Sequence, residues 1–262
     1  MLSFPNAKIN LGLNIVSRRP DGYHDLESCF YPILWCDALE VLPAEKLTFT
    51  SSGLDIPGTP ESNLCLRAYD LLQKTYDLPG AHIHLHKVIP MGAGLGGGSA
   101  DGAFTLKMLN ELFDLGLDVP TLQNLAGQLG SDCPFFIENK PVLATGTGTV
   151  FREVALDLSG KHIAIKHPHI HVSTQKAYSL IKPSAPDYSI ENTLKEPISQ
   201  WRNVLKNDFE ASVFGQFPEI QQIKEELYAS GALYAAMSGS GSAVFGLFEE
   251  EVSLEGYHTF SL

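Results

Sequence analysis

The chain has 262 residues, which at ~150 residues per domain is between one and two domains, enough for a deep core and two lobes. Its 30 acidic against 18 basic residues leave a net charge of -12, which excludes a broad, sequence-independent grip on nucleic acid or an anionic membrane surface. With 44% apolar and 18% charged residues the composition is globular rather than disordered or fibrous, so any anionic ligand has to be held by a local device.

Residues 7–16 and 27–42 are rich in Ile, Leu, Val and aromatics, and Arg18-Arg19-Pro20-Asp21-Gly22 between them suits a type I turn. A hairpin-like start follows. Residues 46–51 alternate as a strand, and residues 61–76 place Leu64, Ala68, Leu71 and Leu72 on one helical face with Arg67, Asp70, Lys74 and Asp77 opposite. A strand over 81–88 then leads into the densest glycine run of the chain and a largely buried helix over 99–113. A shorter helix over 121–129 ends at Gly130, and Ser131-Asp132-Cys133-Pro134 leads through Phe135-Phe136-Ile137 to a strand near 141–145.

After about residue 155 the pattern restarts, with a strand over 162–166, helices near 174–181 and 218–230, and strands flanking Ser238-Gly239-Ser240-Gly241. The polar, Pro-punctuated stretch 183–197 reads as an excursion loop. Two α+β lobes are expected, residues 1–155 and 156–262, with the last residues as candidates to pack back on the first lobe. Cys29, Cys36, Cys65 and Cys133 form no C-x-x-C pair, so reduced thiols in a cytoplasmic protein are expected. The start of the chain has no basic stretch followed by an apolar one, and no apolar run approaches the ~18–20 residues that span a bilayer, so neither export nor membrane insertion is expected.

The chemistry centres on Pro90-Met91-Gly92-Ala93-Gly94-Leu95-Gly96-Gly97-Gly98-Ser99. Glycines remove side chains where a backbone approaches a ligand, and the helix that follows points unpaired N–H groups and a partial positive charge back at the loop. A phosphate fits there. Hydrogen bonds to a charged group contribute about 1.5–3 kcal/mol each, so a few could hold a polyphosphate without a basic surface. Gly92-x-Gly94-x-x-Gly97 formally matches the dinucleotide fingerprint, but Glu111 and Asp114 lie in or at the end of the following helix, where a ribose-binding carboxylate does not belong. The chain also has no G-x-x-x-x-G-K-[ST] phosphate loop.

Two further segments join the loop: Pro5-Asn6-Ala7-Lys8-Ile9-Asn10, with Lys8 and Asn10 on one face of a strand, and the small-residue loop Ser238-Gly239-Ser240-Gly241-Ser242. P-x-A-K-x-N, P-x-G-x-G-L-G-G-G-S-A and M-S-G-S-G resemble the three signatures of the GHMP (galactokinase, homoserine, mevalonate, phosphomevalonate) kinases, and the resemblance runs from residue 5 to about 248. Arg19-Pro20-Asp21-Gly22-Tyr23-His24 and Leu129-Gly130-Ser131-Asp132-Cys133-Pro134 look like one member of that family, whose acceptor carries a cytidylyl group. The fold the resemblance implies is α+β and two-lobed: an N-terminal lobe like ribosomal protein S5 domain 2, a ferredoxin-like C-terminal lobe, and the active site in the cleft between them.

The resemblance further implies an ATP-dependent kinase, with Mg2+ arriving as the nucleotide complex. Asp132 would take the acceptor proton, and Lys8 would keep it ionised and draw the acceptor oxygen into place. Residues Pro90 to Ser99 would wrap the ATP phosphates, with Asn63 and Lys87 near the adenine. Tyr23 would stack on the cytosine, His24 would read its edge through the main chain, Tyr178 would close its other side, and Asn10 and Thr174 would hold the acceptor. Ser99 or Asp101 could assist the metal, though no protein ligand is certain. Thr149 stands where the family usually has an acid, and Ala93 where a further glycine is common.

Other readings remain open: a different small-molecule kinase of the family, of homoserine or mevalonate type, or a nucleotide-binding paralogue without catalysis. A monomer or homodimer acting on small molecules, with no nucleic acid or membrane partner, is expected. His82, His84 and His86 share one strand face, a spacing that could hold a metal, although an ordinary solvent-facing or helix-covered face is the plainer account. His167, His169 and His171 repeat the spacing around a proline. Cys133 lacks a neighbouring histidine, so a buried thiol is expected there rather than a nucleophile.

Overall fold

A computed structural model describes residues 1–179 and 181–262. The chain opens with strands β1 (Leu2–Ser3), β2 (Asn6–Arg18), β3 (His24–Cys36), β4 (Ala38–Pro43) and β5 (Thr48–Gly53). Helix α1 (Leu64–Tyr76), strand β6 (Ala81–Lys87) and helices α2 (Gly97–Leu112), α3 (Val119–Leu129) and α4 (Phe135–Glu138) follow. Next come β7 (Val142–Thr145), β8 (Val150–Glu153), β9 (His162–Lys166), α5 (Thr174–Ser179), α6 (Ile190–Thr193), α7 (Phe209–Gln216) and α8 (Pro218–Ala229). Strands β10 (Tyr234–Met237), β11 (Val244–Phe248) and β12 (His258–Ser261) close the chain.

Packing divides the chain into two compact units, each built from several segments: residues 1–7, 35–91 and 96–140 in the first, and 8–34, 92–95 and 141–262 in the second. No single cut near residue 155 separates them by packing.

The first unit holds a sheet ordered β1-β4-β6-β5, in which β4 and β6 pair antiparallel and β5 and β6 parallel. Alternation along β6 turns Ala81, Ile83 and Leu85 inward and His82, His84 and His86 outward. Helix α2 buries Ala100, Ala103, Leu106 and Leu109 and packs against α1. Truncating a fully buried leucine such as Leu72 or Leu109 to Ala costs ~2–5 kcal/mol. Helix α1 begins where the Asn63 side chain accepts from the backbone N–H groups of Cys65 and Leu66. Its buried face is Cys65, Ala68, Tyr69 and Leu72, so Leu64 and Leu71, expected inside, are only half-buried. Leu64 still faces α2, where a Cβ at Gly102 would lie 2.9 Å from the Leu64 Cβ.

The second unit holds two sheets, ordered β2-β3-β7-β8 and β10-β11-β9-β12. Its core gathers Leu13, Ile15, Phe209, Val213, Ile220, Ile223, Leu227 and Val244 around α7 and α8. The expected helix near 174–181 is observed as α5, and residue 180 lies outside the described residues. The expected excursion loop contains the short helix α6, capped where Ser189 Oγ accepts from Asn192 N. The C-terminal residues correct an expectation: β12 pairs antiparallel with β9, and Leu262 N donates to Lys161 O at 2.8 Å. That strand completes the second unit's own sheet rather than returning to the first lobe.

Candidate active site

The three motif segments converge within the second unit. Lys8 N donates to Leu95 O at 2.9 Å, and Lys8 Nζ donates to Asn10 Oδ1 at 2.6 Å and to Gly94 O at 3.1 Å. Ser238 Oγ donates to the same Gly94 O at 2.9 Å and approaches Asn10 Oδ1 at 3.4 Å. Ala243 N closes the set on Ala93 O at 3.0 Å, which gives the departure from glycine at position 93 a buried, satisfied place. Gly94 shows why the loop needs glycine. Its φ is +80°, and a Cβ there would lie 2.0 Å from Ser238 O.

Lys8 is 3% exposed and sits 5.0 Å from the centre of the Phe30 ring. Its ammonium therefore works in a dry environment where charge interactions are stronger than in water. Asn10 passes the order on: its Nδ2 donates to Ser28 Oγ at 2.8 Å, and Ser28 Oγ donates to Gly12 O at 2.6 Å. Neither Ser28 nor Asn207 was singled out by sequence. Asn207 Nδ2 donates to Met237 O at 2.7 Å and to Gly239 O at 2.8 Å, while its Oδ1 accepts from Phe209 N. The available signal was Asn-Asp ahead of an apolar stretch, a helix-start pattern.

In the first unit the loop enters from β6 and leaves as α2, whose left-handed N-cap is Gly96 (φ 70°). The first turn presents N–H groups without helical partners. Lys87 does not offer its ammonium to a ligand freely: Nζ donates to Asp37 at 2.5 Å and to Asp101 at 2.7 Å, all three groups being buried. Burial works against the Lys87 charge, and the two carboxylates outweigh it, so the ammonium titrates above its usual range. Asp101 is pushed up to about 7, mainly by burial, with Lys87 opposing and Asp37 adding to the rise. Asp37 Oδ1 also accepts from Val88 N and Ile89 N, fixing the chain just before the glycine loop. Beside this triad is a small hollow lined by Asn63, Leu64, Leu85, Met91 and Gly98, with Asp101 at its wall. Asp101 Oδ1 is buried without a hydrogen-bond partner.

Asp132 lies half-buried in the turn between α3 and α4. Cys133 N donates to Gly130 O, and Phe136 N to Cys133 O, so the turn carrying Asp132 is pinned on both sides. Burial pushes the Cys133 thiol up to about 12, a poor thiolate and a poor nucleophile.

Of the residues expected around the acceptor, Tyr23 is 67% exposed at a turn held by Asp21 Oδ1, which accepts from Tyr23 N at 3.1 Å. That backbone bond, chief among the causes, lowers the Asp21 pKa against desolvation, and Arg19 beside it adds to the lowering. The His24 and Tyr178 rings stack at 5.0 Å, and Tyr178 meets the edge of Phe209 at 4.8 Å. Thr174 Oγ1 and Ser240 Oγ share a hydrogen bond of 3.1 Å, joining Thr174 to the third motif.

The histidine strand makes a hydroxyl zipper. Thr48, Thr50 and Ser52 of β5 contact His82, His84 and His86 Nδ1 at 2.7, 2.8 and 2.9 Å. Among the described residues no group of three His, Cys, Asp or Glu is placed to hold a metal ion, and no helix is long and apolar enough to cross a membrane.

Comparison with known proteins gives these contacts a class. Residues 63–140 match the family model of the GHMP kinases N terminal domain, and residues 189–255 that of the GHMP kinases C terminal domain. The fold is shared with the mevalonate kinase of Methanococcus jannaschii, at TM-score 0.70 and 12% identity over 99% of this chain and 96% of that one. The class is therefore a GHMP kinase of two-lobed α+β architecture. A 4-diphosphocytidyl-2-C-methyl-D-erythritol kinase from Cytophaga hutchinsonii is 55% identical over 95% of this chain and 92% of its own length. The enzyme of the same name from Bacteroides fragilis is 54% identical over 96% and 93%. A crystal structure of 4-(cytidine 5'-diphospho)-2C-methyl-D-erythritol kinase superimposes at TM-score 0.83 with 35% identity, over 95% of this chain and 91% of that chain. The chain belongs to the 4-diphosphocytidyl-2-C-methyl-D-erythritol kinase family.

Proposed function

We propose that the protein transfers the γ-phosphoryl group of ATP to the 2-hydroxyl of 4-diphosphocytidyl-2-C-methyl-D-erythritol, a step of the non-mevalonate route to isoprenoid precursors. The observation that carries this reading is the meeting of Lys8, Asn10 and Ser238 on the carbonyl of Gly94. It ties a buried ammonium and an amide to the backbone of a phosphate-type loop. In the reaction the acceptor oxygen forms a bond to the γ-phosphorus, the bond to the bridging oxygen of ADP breaks, and the hydroxyl proton passes to Asp132. Lys8 holds the acceptor oxygen and favours the ionised carboxylate, and Asn10 holds Lys8 and the erythritol hydroxyls.

Residues Pro90 to Ser99 bind the ATP phosphates through main-chain N–H groups. Asn63 and Lys87 border the hollow and the triad beside it, and the base takes the apolar wall formed by Leu64, Leu85 and Met91. Tyr23 and Tyr178 flank the cytosine, His24 presents its main chain, and Thr174 supports the acceptor. Mg2+ would arrive with the nucleotide phosphates and would supply neutralisation of their charge. Asp101 is tied to Lys87, which leaves the Ser99 hydroxyl as the protein group nearest in kind to a ligand. Four free cysteines accord with a reducing cytoplasm.

Incubation with labelled ATP and a panel of alcohols tests the assignment. Label is expected in the cytidylyl erythritol; label in homoserine or mevalonate instead would overturn it.

A further inference from the structure

His171 stands apart from the motifs and from the family's expected site residues. It lies in the segment between β9 and α5 and is exposed, yet it is not loosely placed. On one side Ser242 Oγ donates to Ile170 O at 2.5 Å, and on the other Val172 is buried in the second unit's core. The backbone turns just before it, at His169, with φ +58°. These anchors carry the ring to the first glycine of the phosphate-type loop. Gly92 has φ +67°, and a Cβ there would lie 3.6 Å from His171 Nδ1 and 3.9 Å from Cε1. The imidazole thus faces the side of Gly92 that a side chain would occupy, and among the described residues beyond Gly92's chain neighbours no other heavy atom comes within 4 Å of that position.

The contrast with the other histidines is informative. His82, His84 and His86 each spend a ring nitrogen on a β5 hydroxyl, and His167 and His169 pack edge to face at 5.0 Å. No hydrogen bond engages His171 among the described residues. An imidazole offers an N–H donor in either protonation state, and a second one when charged. In a chain of net charge -12, an anion at this loop gains from every local donor.

We infer that His171 is a phosphate-contacting residue, donating from its ring to a phosphate oxygen seated at Gly92. The inference rests on the proposed reading of the loop as the seat of phosphates. The phosphate belongs either to ATP or to the diphosphate of the acceptor, two sources of the same chemistry that the experiment separates.

Two variants, His171→Gln and His171→Arg, test it in the full-length protein. In His171→Gln the KM for ATP, or the KM for the cytidylyl acceptor, is expected to rise on the order of tenfold, and His171→Arg is expected to restore much of it. Competition by adenosine and by cytidine, which carry no phosphate, is expected to stay unchanged, a pattern that general loosening of the fold would not give. A rise in the ATP arm assigns the contact to the nucleotide, and a rise in the acceptor arm to the acceptor. Both KM values within about twofold of the wild type in a fully active His171→Gln protein would overturn the inference while leaving the kinase assignment intact. A wild-type protein that labels no acceptor would instead overturn the reading beneath it.

Discussion

The amide oxygen of Asn10 accepts from Lys8 Nζ at 2.6 Å, so the strand β2 ammonium is aimed by a side chain two residues further along the same face. Asn10 is itself aimed by Ser28, which is fully buried and hands the chain of hydrogen bonds on to Gly12 O. Ser28→Ala strips Asn10 Nδ2 of its acceptor in a dry setting, which costs about 1–3 kcal/mol. A lower midpoint in chemical denaturation is expected, together with a several-fold fall in kcat as Lys8 loses its fixed direction. Unchanged kcat with lowered stability would show that the relay supports the fold alone.

Gly94→Ala addresses the close approach of two loops. The added Cβ would meet Ser238 O at 2.0 Å in a backbone conformation of φ +80°, and a main-chain carbonyl cannot swing aside as a flexible side chain can. The second-unit loops would have to separate. Loss of measurable ATP binding by calorimetry is expected, and wild-type affinity would contradict the placement of phosphates here.

Asp101 makes stability depend on pH in a direction opposite to the usual paired carboxylate. Its folded pKa is pushed up to about 7, chiefly by burial, against ~3.9 for an unfolded aspartate. Below that lower value both states hold the proton; as pH rises the unfolded chain releases it first. The stabilisation this group contributes is thus present at low pH and is lost between about 4 and 7. Lys87 and Asp37 are the charged groups facing it. Asp101→Asn removes the titration, so its Tm relative to the wild type should improve steadily across that window. Parallel Tm profiles would contradict the assignment.

Tyr23 is 67% exposed at its turn, so its ring is open to the base-stacking role proposed for it. Base–aromatic stacking contributes ~1–3 kcal/mol, so Tyr23→Ala should raise the KM for the cytidylyl acceptor by roughly five- to a hundredfold with little change in the KM for ATP. Equal KM values would place the cytosine elsewhere.

Much of this site is legible in the sequence. Glycine spacing, the strand feeding it and the helix leaving it are local patterns, and β6 (Ala81–Lys87) and α3 (Val119–Leu129) fall within a residue or two of expectation. What escaped were partners far apart in the chain. Lys87 reads as a lone cation near a nucleotide, but its ammonium is shared by Asp37 and Asp101, a relation that no window of sequence contains. Ser28 and Asn207 are ordinary polar residues until β3 and the segment before α7 bring them against Asn10 and Gly239. Helix α7 (Phe209–Gln216) mixes apolar and small residues without a clean stripe, and only Phe209 and Val213, one turn apart, are buried. Strand β12 has no apolar run, and pairing with β9 decides it.

The most direct test is the rate of labelled phosphoryl transfer from ATP to 4-diphosphocytidyl-2-C-methyl-D-erythritol by the wild type and by Asp132→Asn, with the ATP Kd measured on both. A positioned general base contributes ~10²–10⁴-fold, so kcat is expected to fall by that order while the ATP Kd stays within about threefold. Transfer at the wild-type rate in the variant would contradict the account.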